Sequence, residues 1–180
     1  MSRFDEPGYC EECGNRGVVR KVYDGQPIDE CDLCGALYGE PDLIDKIETD
    51  READSLGIDR GIYPLVEELN HIKGVRCYDS SEGDVELGIP PFVKMHITDQ
   101  AAVPILGALM TSLSLSSRAM AGHWHIEVLH ENGIIGFSLR PRRPPDESAR
   151  RHGWIETARG DLIPLVKQLA SHKRLAWWKV

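Results

Sequence analysis

Two short stretches, Cys10-Glu11-Glu12-Cys13-Gly14 and Cys31-Asp32-Leu33-Cys34-Gly35, constrain this chain more than any others. Two CxxC pairs separated by 17 residues have the ligand spacing of a tetrahedral four-thiolate zinc site. A CxxC turn brings two thiolates to one ion from a single tight loop. The Gly after each pair takes positive φ without a Cβ penalty, so backbone amides can turn toward the sulfurs. Between the pairs, two β-prone runs flank Asp24-Gly25, a strong hairpin-turn dipeptide. Knuckle, hairpin, knuckle describes a zinc ribbon, with Cys10, Cys13, Cys31 and Cys34 as ligands. So small a module has little core, and bound Zn²⁺ is expected to supply most of its folding free energy. A closed four-cysteine site has no open coordination position, which makes the metal structural and not catalytic. Two disulfides are disfavoured, because CxxC pairs are poorly placed for stable bridges and the opening Met-Ser-Arg-Phe-Asp-Glu is not read as a targeting segment. Iron takes the same geometry, so the spacing leaves zinc and iron open.

Reduced thiols imply a cytoplasmic chain. Its 180 residues suffice for one substantial core beside the ribbon, and no apolar run approaches the ~20 residues that span a membrane. Charge is uneven. Residues 1–57 carry 15 Asp and Glu against 6 Lys and Arg, whereas residues 146–180 carry 4 against 7. An acidic front half argues against a generic nucleic-acid coat and leaves a local basic patch near the C-terminus.

The expected organisation is a zinc ribbon over 1–39, an acidic linker helix over 40–57 and an α+β domain over 58–180. In the linker helix, Leu43, Ile44 and Ile47 make an apolar stripe that Leu56 extends. Asp59 is placed to cap a helix that turns Ile62, Leu65, Val66 and Leu69 to one side. Then follow a strand at 75–78, a polar loop at 79–84, a strand at 92–98, an Ala- and Leu-rich helix at 100–115 and two strands, 124–129 and 134–139. Asn132-Gly133 favours a hairpin turn between those last two. A final helix, 162–171 with Asp161 as cap, echoes the earlier one: Ile62-Tyr63-Pro64-Leu65-Val66 against Leu162-Ile163-Pro164-Leu165-Val166. Chance similarity of two amphipathic helices explains the echo better than duplication, because the flanking residues diverge. This order predicts a mostly antiparallel sheet covered by helices on one face.

Pro64-Leu65-Val66-Glu67-Glu68-Leu69-Asn70, Pro91-Phe92-Val93-Lys94-Met95-His96-Ile97-Thr98-Asp99 and Phe137-Ser138-Leu139-Arg140-Pro141 carry a further signal. Through them, residues 60–140 resemble the tRNA wybutosine-synthesising methyltransferase family and its uncharacterised bacterial relatives. The resemblance implies a methyltransferase-like fold, and S-adenosylmethionine-dependent tRNA modification as an activity. That family's functional loop carries a Ser-Ser-Cys-Ser-Gly-Arg type of motif. Here the loop is Ser80-Ser81-Glu82-Gly83-Asp84, with the Cys and the Arg missing.

Three groups of residues are candidates for chemistry. His123, His125 and Glu127 share one strand face, and His96 would join them if its strand paired with theirs, making a three-imidazole metal site. The competing account is the exposed face of a half-buried sheet. In the loop, Ser80, Ser81, Glu82 and Asp84, with Asp79, could hold Mg²⁺ or act as acid and base, or simply form a solvated turn. Cys77, beside it, reads as a small buried residue. Arg140, Arg142, Arg143, Arg150 and Arg151, with Trp154, Trp177 and Trp178, suit phosphates and unpaired bases, or a protein interface, or simply form a solvated tail with its Trp packed on the core. The leading functional expectation is a zinc-binding, nucleic-acid (RNA) binding or adaptor module. The alternatives are an enzyme related to the tRNA-modifying methyltransferases, or a protein–protein interaction module joined through the acidic front half or the C-terminal Arg/Trp region, with no membrane contact.

Overall fold

A computed structural model describes residues 8–84, 86–87, 89–115, 124–131, 133–141 and 162–171. It is an α+β protein whose chain divides into two compact units, Met1–Glu52 and Ala53–Val180.

In the first unit, β1 (Val18–Tyr23) and β2 (Gln26–Cys31) pair antiparallel, from Val18↔Cys31 to Tyr23↔Gln26. Asp24 (φ 49°) and Gly25 (φ 79°) both take positive φ, the requirement of a type I′ turn whose twist matches the strands it joins. A third strand, β3 (Leu37–Tyr38), adds to β2 through Asp29↔Tyr38 and Glu30↔Leu37. Two residues are too few to leave a periodic signal, so the sequence predicts only the hairpin. Helix α1 (Pro41–Leu56) buries Leu43 and Ile47 with Ile28, flanked by Tyr23, Leu37 and Ile44. The next turn of that stripe is Asp50, buried and hydrogen-bonded by the Tyr23 hydroxyl. Leu56 does not extend the stripe; it is 59% exposed.

The second unit contains α2 (Tyr63–Asn70), β4 (Val75–Ser81), β5 (Phe92–Ile97), α3 (Ala102–Leu115), β6 (Trp124–Glu131), β7 (Ile134–Pro141) and α4 (Ile163–Ser171). Its sheet is antiparallel, in the order β4-β5-β7-β6. Val93 and Met95 of β5, Leu139 of β7 and Trp124 and Ile126 of β6 share one face. Against it lie Leu65 and Leu69 of α2, Leu106, Leu109 and Leu113 of α3, and Val166 of α4. Fully burying each such aliphatic chain contributes roughly 1.5–3 kcal/mol, so this face is the energetic centre of the unit. The echoing helices α2 and α4 lie against each other, joined at the rim by Lys167 and Glu68 at 3.2 Å.

Three expectations need correction. Asp59 does not cap α2 with its side chain; Ile62 stands at the N-cap, and the Asp59 carboxylate instead accepts the Glu82 amide at 3.0 Å. Strand β4 runs on to Ser81, so Asp79, Ser80 and Ser81 are strand residues, paired with Lys94, Val93 and Phe92. Helix α3 starts two residues late, because the Asp99 side chain and carbonyl engage the Ala101 and Ala102 amides. The Asp161 cap lies outside the described residues.

Candidate metal centre

The two knuckles fold alike. The Cys10 amide donates to the Asn15 carbonyl at 2.8 Å, and the Gly14 amide donates back to the Cys10 carbonyl at 2.8 Å. In the second knuckle the Cys31 amide donates to Ala36 and the Gly35 amide to Cys31, both at 2.9 Å. Gly14 (φ 71°) and Gly35 (φ 75°) close both turns in the left-handed region. The β1–β2 hairpin then delivers one knuckle to the other, placing Cys10 and Cys31 in the interior and Cys13 and Cys34 at the surface.

All four sulfurs lie within 4.8 Å of one another, with Cys10–Cys34 at 3.4 Å and Cys13–Cys31 at 3.6 Å. A tetrahedral ion with metal–sulfur bonds of 2.3 Å needs sulfurs about 3.8 Å apart, so the four cysteines are placed to hold one metal ion. Backbone amides already face the sulfurs: Cys13 toward Cys10, Asn15 toward Cys13, Cys34 and Leu33 toward Cys31, and Ala36 toward Cys34. One side chain joins them. The Tyr38 hydroxyl donates to Cys10 Sγ at 3.1 Å and pulls that thiol down to about 6, the largest of the effects acting on it. No sequence signal marks Tyr38, because its role depends on β3 pairing with β2.

Among the described residues no other group of three or more His, Cys, Asp or Glu side chains converges in this way. Strands β5 and β6 do not pair; β7 lies between them, which separates His96 from His125, and His123 is outside the described residues. His125 Nε2 instead meets Glu127 Oε1 at 2.8 Å, and Arg140 pairs with the other carboxylate oxygen. The His125 ring, followed by Arg140, holds the Glu127 carboxyl below its ordinary range. These residues line a shallow cleft of about 540 Å³ with Pro90, Ile126 and Pro141. Arg140 is thus engaged on the sheet, while Arg142, Arg143, Arg150 and Arg151 lie outside the described residues.

The loop acids are occupied with backbone. Glu82 accepts the Gly61 amide at 2.9 Å, Asp84 accepts the Leu87 amide at 2.9 Å, and the Ser81 hydroxyl accepts the Gly83 amide at 3.1 Å. Gly83 (φ 77°) is required there, since a Cβ would sit 2.4 Å from the Ile89 carbonyl oxygen. The loop is therefore held in shape by the groups that looked chemical in sequence. Cys77, expected as a buried residue, is only partly buried against the core, and that burial pushes its thiol up to about 12. At pH 8 it should resist a thiol-alkylating reagent in the folded chain and react once the chain is unfolded. Rapid modification before unfolding would contradict this placement.

One surface feature was missed in sequence. A bulge between Cys77 and Asp79 inserts Tyr78 into β4. Its ring stays on the side of Arg76 and stacks on His96 of β5, centroids 4.1 Å apart and planes 17° from parallel, while Asp79, one residue on, pairs with Lys94. Gly136 of β7 makes room, since a Cβ there would stand 3.1 Å from the Tyr78 hydroxyl and 3.4 Å from the His96 ring. The stack lies on the sheet face away from the helices, with Arg76 paired across from His96. Lys94 lies nearby, against Phe92 and Asp79.

No family model, no curated protein and no solved structure matches this chain. The expected likeness to the wybutosine-synthesising methyltransferases is thus supported by no match. No helix among the described residues is long and apolar enough to cross a membrane.

Proposed function

We propose that the chain is a zinc-binding protein whose ribbon is structural and whose sheet face binds single-stranded RNA. Four thiolates form a soft, closed tetrahedral donor set, which suits zinc or iron and not Mg²⁺ or Ca²⁺; zinc is the ion proposed, and a closed set leaves no position for substrate. The observation that carries the RNA reading is the Tyr78–His96 stack on the sheet face that, among the described residues, no helix covers. Stacked rings offer a flat π surface to an unpaired base, and the face around them carries Arg76, Lys94 and Arg140 against Asp79 and Glu127. A single strand can lay one base on the rings while its phosphates meet the basic groups. Fluorescence anisotropy with a labelled single-stranded RNA oligomer tests this. Base–aromatic stacking is worth about 1–3 kcal/mol, so Tyr78→Ala should weaken binding roughly 5- to 150-fold. Arg76→Ala should reduce the salt slope by about 1. Wild-type affinity in Tyr78→Ala, or wild-type protein that binds no RNA, would overturn the RNA reading and leave the metal assignment standing.

A further inference from the structure

The two knuckles close with the same pair of backbone hydrogen bonds, but the first also takes a side-chain hydroxyl on one of its sulfurs. Every sulfur of the cluster has a facing amide, but among the described residues Cys10 alone also receives a hydroxyl hydrogen bond, from Tyr38. That hydroxyl is not a free rotor. Its oxygen accepts the Glu11 amide at 2.9 Å, an amide inside the first knuckle, which leaves its single proton directed at Cys10 Sγ. The ring itself is carried by β3, anchored to β2 through Tyr38↔Asp29. Tyr38 therefore ties a ligand sulfur and its knuckle to a strand on the far side of the hairpin.

Four thiolates around a divalent ion leave a net charge of about −2 on the cluster, and each donor to sulfur relieves part of it. A donor held on a sheet also restrains the sulfur's position. Cys13 and Cys34 are exposed, so a chelator meets them first; ion release is completed only when the buried sulfurs let go. We propose that Tyr38 is a non-ligating positioning residue of the metal centre, holding Cys10 in place and setting how slowly the ion leaves. The proposal rests on the four cysteines being a metal site.

The test uses the full chain loaded with Zn²⁺ or Co²⁺, as wild type, Tyr38→Phe and Tyr23→Phe. Phe keeps the ring and removes the oxygen. Tyr23→Phe also loses a hydroxyl in the same unit, but one bonded to Asp50 and not to sulfur. Transfer of Zn²⁺ to excess chelator at neutral pH should be about 10- to 100-fold faster from Tyr38→Phe, and near the wild-type rate from Tyr23→Phe. The sulfur-to-cobalt charge-transfer band should shift in Tyr38→Phe alone. A Tyr38→Phe chain that fails to load while Tyr23→Phe loads is the extreme of the same result. Equal release rates and an unmoved band in Tyr38→Phe would overturn the role of Tyr38, as would equal acceleration in both variants. Wild-type protein that takes up neither ion would instead overturn the metal site itself.

Discussion

Cys31→Ser is expected to abolish tight metal binding and to unfold the ribbon while the second unit stays folded. Cys31 ends β2, is 1% exposed, and takes the Cys34 and Leu33 amides on its sulfur. A hydroxyl there is a poor ligand, and the remaining three thiolates would crowd without an ion to neutralise them. Few other forces hold this unit. Its described hydrophobic cluster consists of Ile28, Leu43 and Ile47 with three half-buried neighbours. Surface pairs such as Arg20–Asp29 contribute little, commonly under about 1 kcal/mol. Structural zinc supplies about 10–16 kcal/mol of apparent binding free energy near neutral pH, more than such a cluster can replace. Because the ligands must lose protons to bind, metal occupancy should fall as pH drops. The measurements are metals per chain and a two-dimensional amide spectrum. Resonances of the described ribbon residues should collapse to unfolded positions, and those of the four-stranded sheet should hold. A well-dispersed ribbon spectrum without metal would contradict the expectation.

Leu139→Ala is expected to do the reverse. Leu139 is fully buried on β7, an inner strand, directly paired with Val93 of β5 and Ile126 of β6. Truncating a leucine in such a site removes its transfer free energy and leaves a cavity, at a cost of roughly 2–5 kcal/mol. That is a large share of the 5–15 kcal/mol that stabilises a typical domain. Urea unfolding should show the midpoint of the second unit falling sharply, with metal content per chain unchanged. A wild-type midpoint would mean that this face is not the core. Simultaneous loss of metal would mean that the two compact units do not hold their structures separately.

The cysteine site was legible because its determinants are local. Each CxxC-Gly turn is specified within five residues, and Asp24-Gly25 both starts the hairpin and sets the register that brings Cys31 near Cys13. The helices were legible for a similar reason: Ile62, Leu65, Val66 and Leu69 declare one face at helical spacing. The histidine cluster failed at strand order. Both strands carry polar residues opposite apolar ones, as expected of a sheet with one uncovered face, but alternation does not say which strand neighbours which. The loop acids failed differently. Glu82 and Asp84 have the composition of a cation site, while their hydrogen bonds to backbone amides depend on where Gly61 and Leu87 come to lie.

By itself, then, the sequence determined the cluster of four cysteines, the hairpin between its two pairs, the α+β class and the apolar face of α2. All of these follow from spacing and turn chemistry acting over a few residues. The tertiary structure alone decided the strand order β4-β5-β7-β6, the donation of Tyr38 to Cys10, and the bulge that lays Tyr78 on His96. Tyr38 and Cys10 are 28 residues apart, and Tyr78 and Gly136 are brought together by two intervening strand pairings. Such contacts arise from the packing of a whole face, where each strand's place depends on every other strand that must bury apolar surface against the same helices. No local pattern encodes that choice.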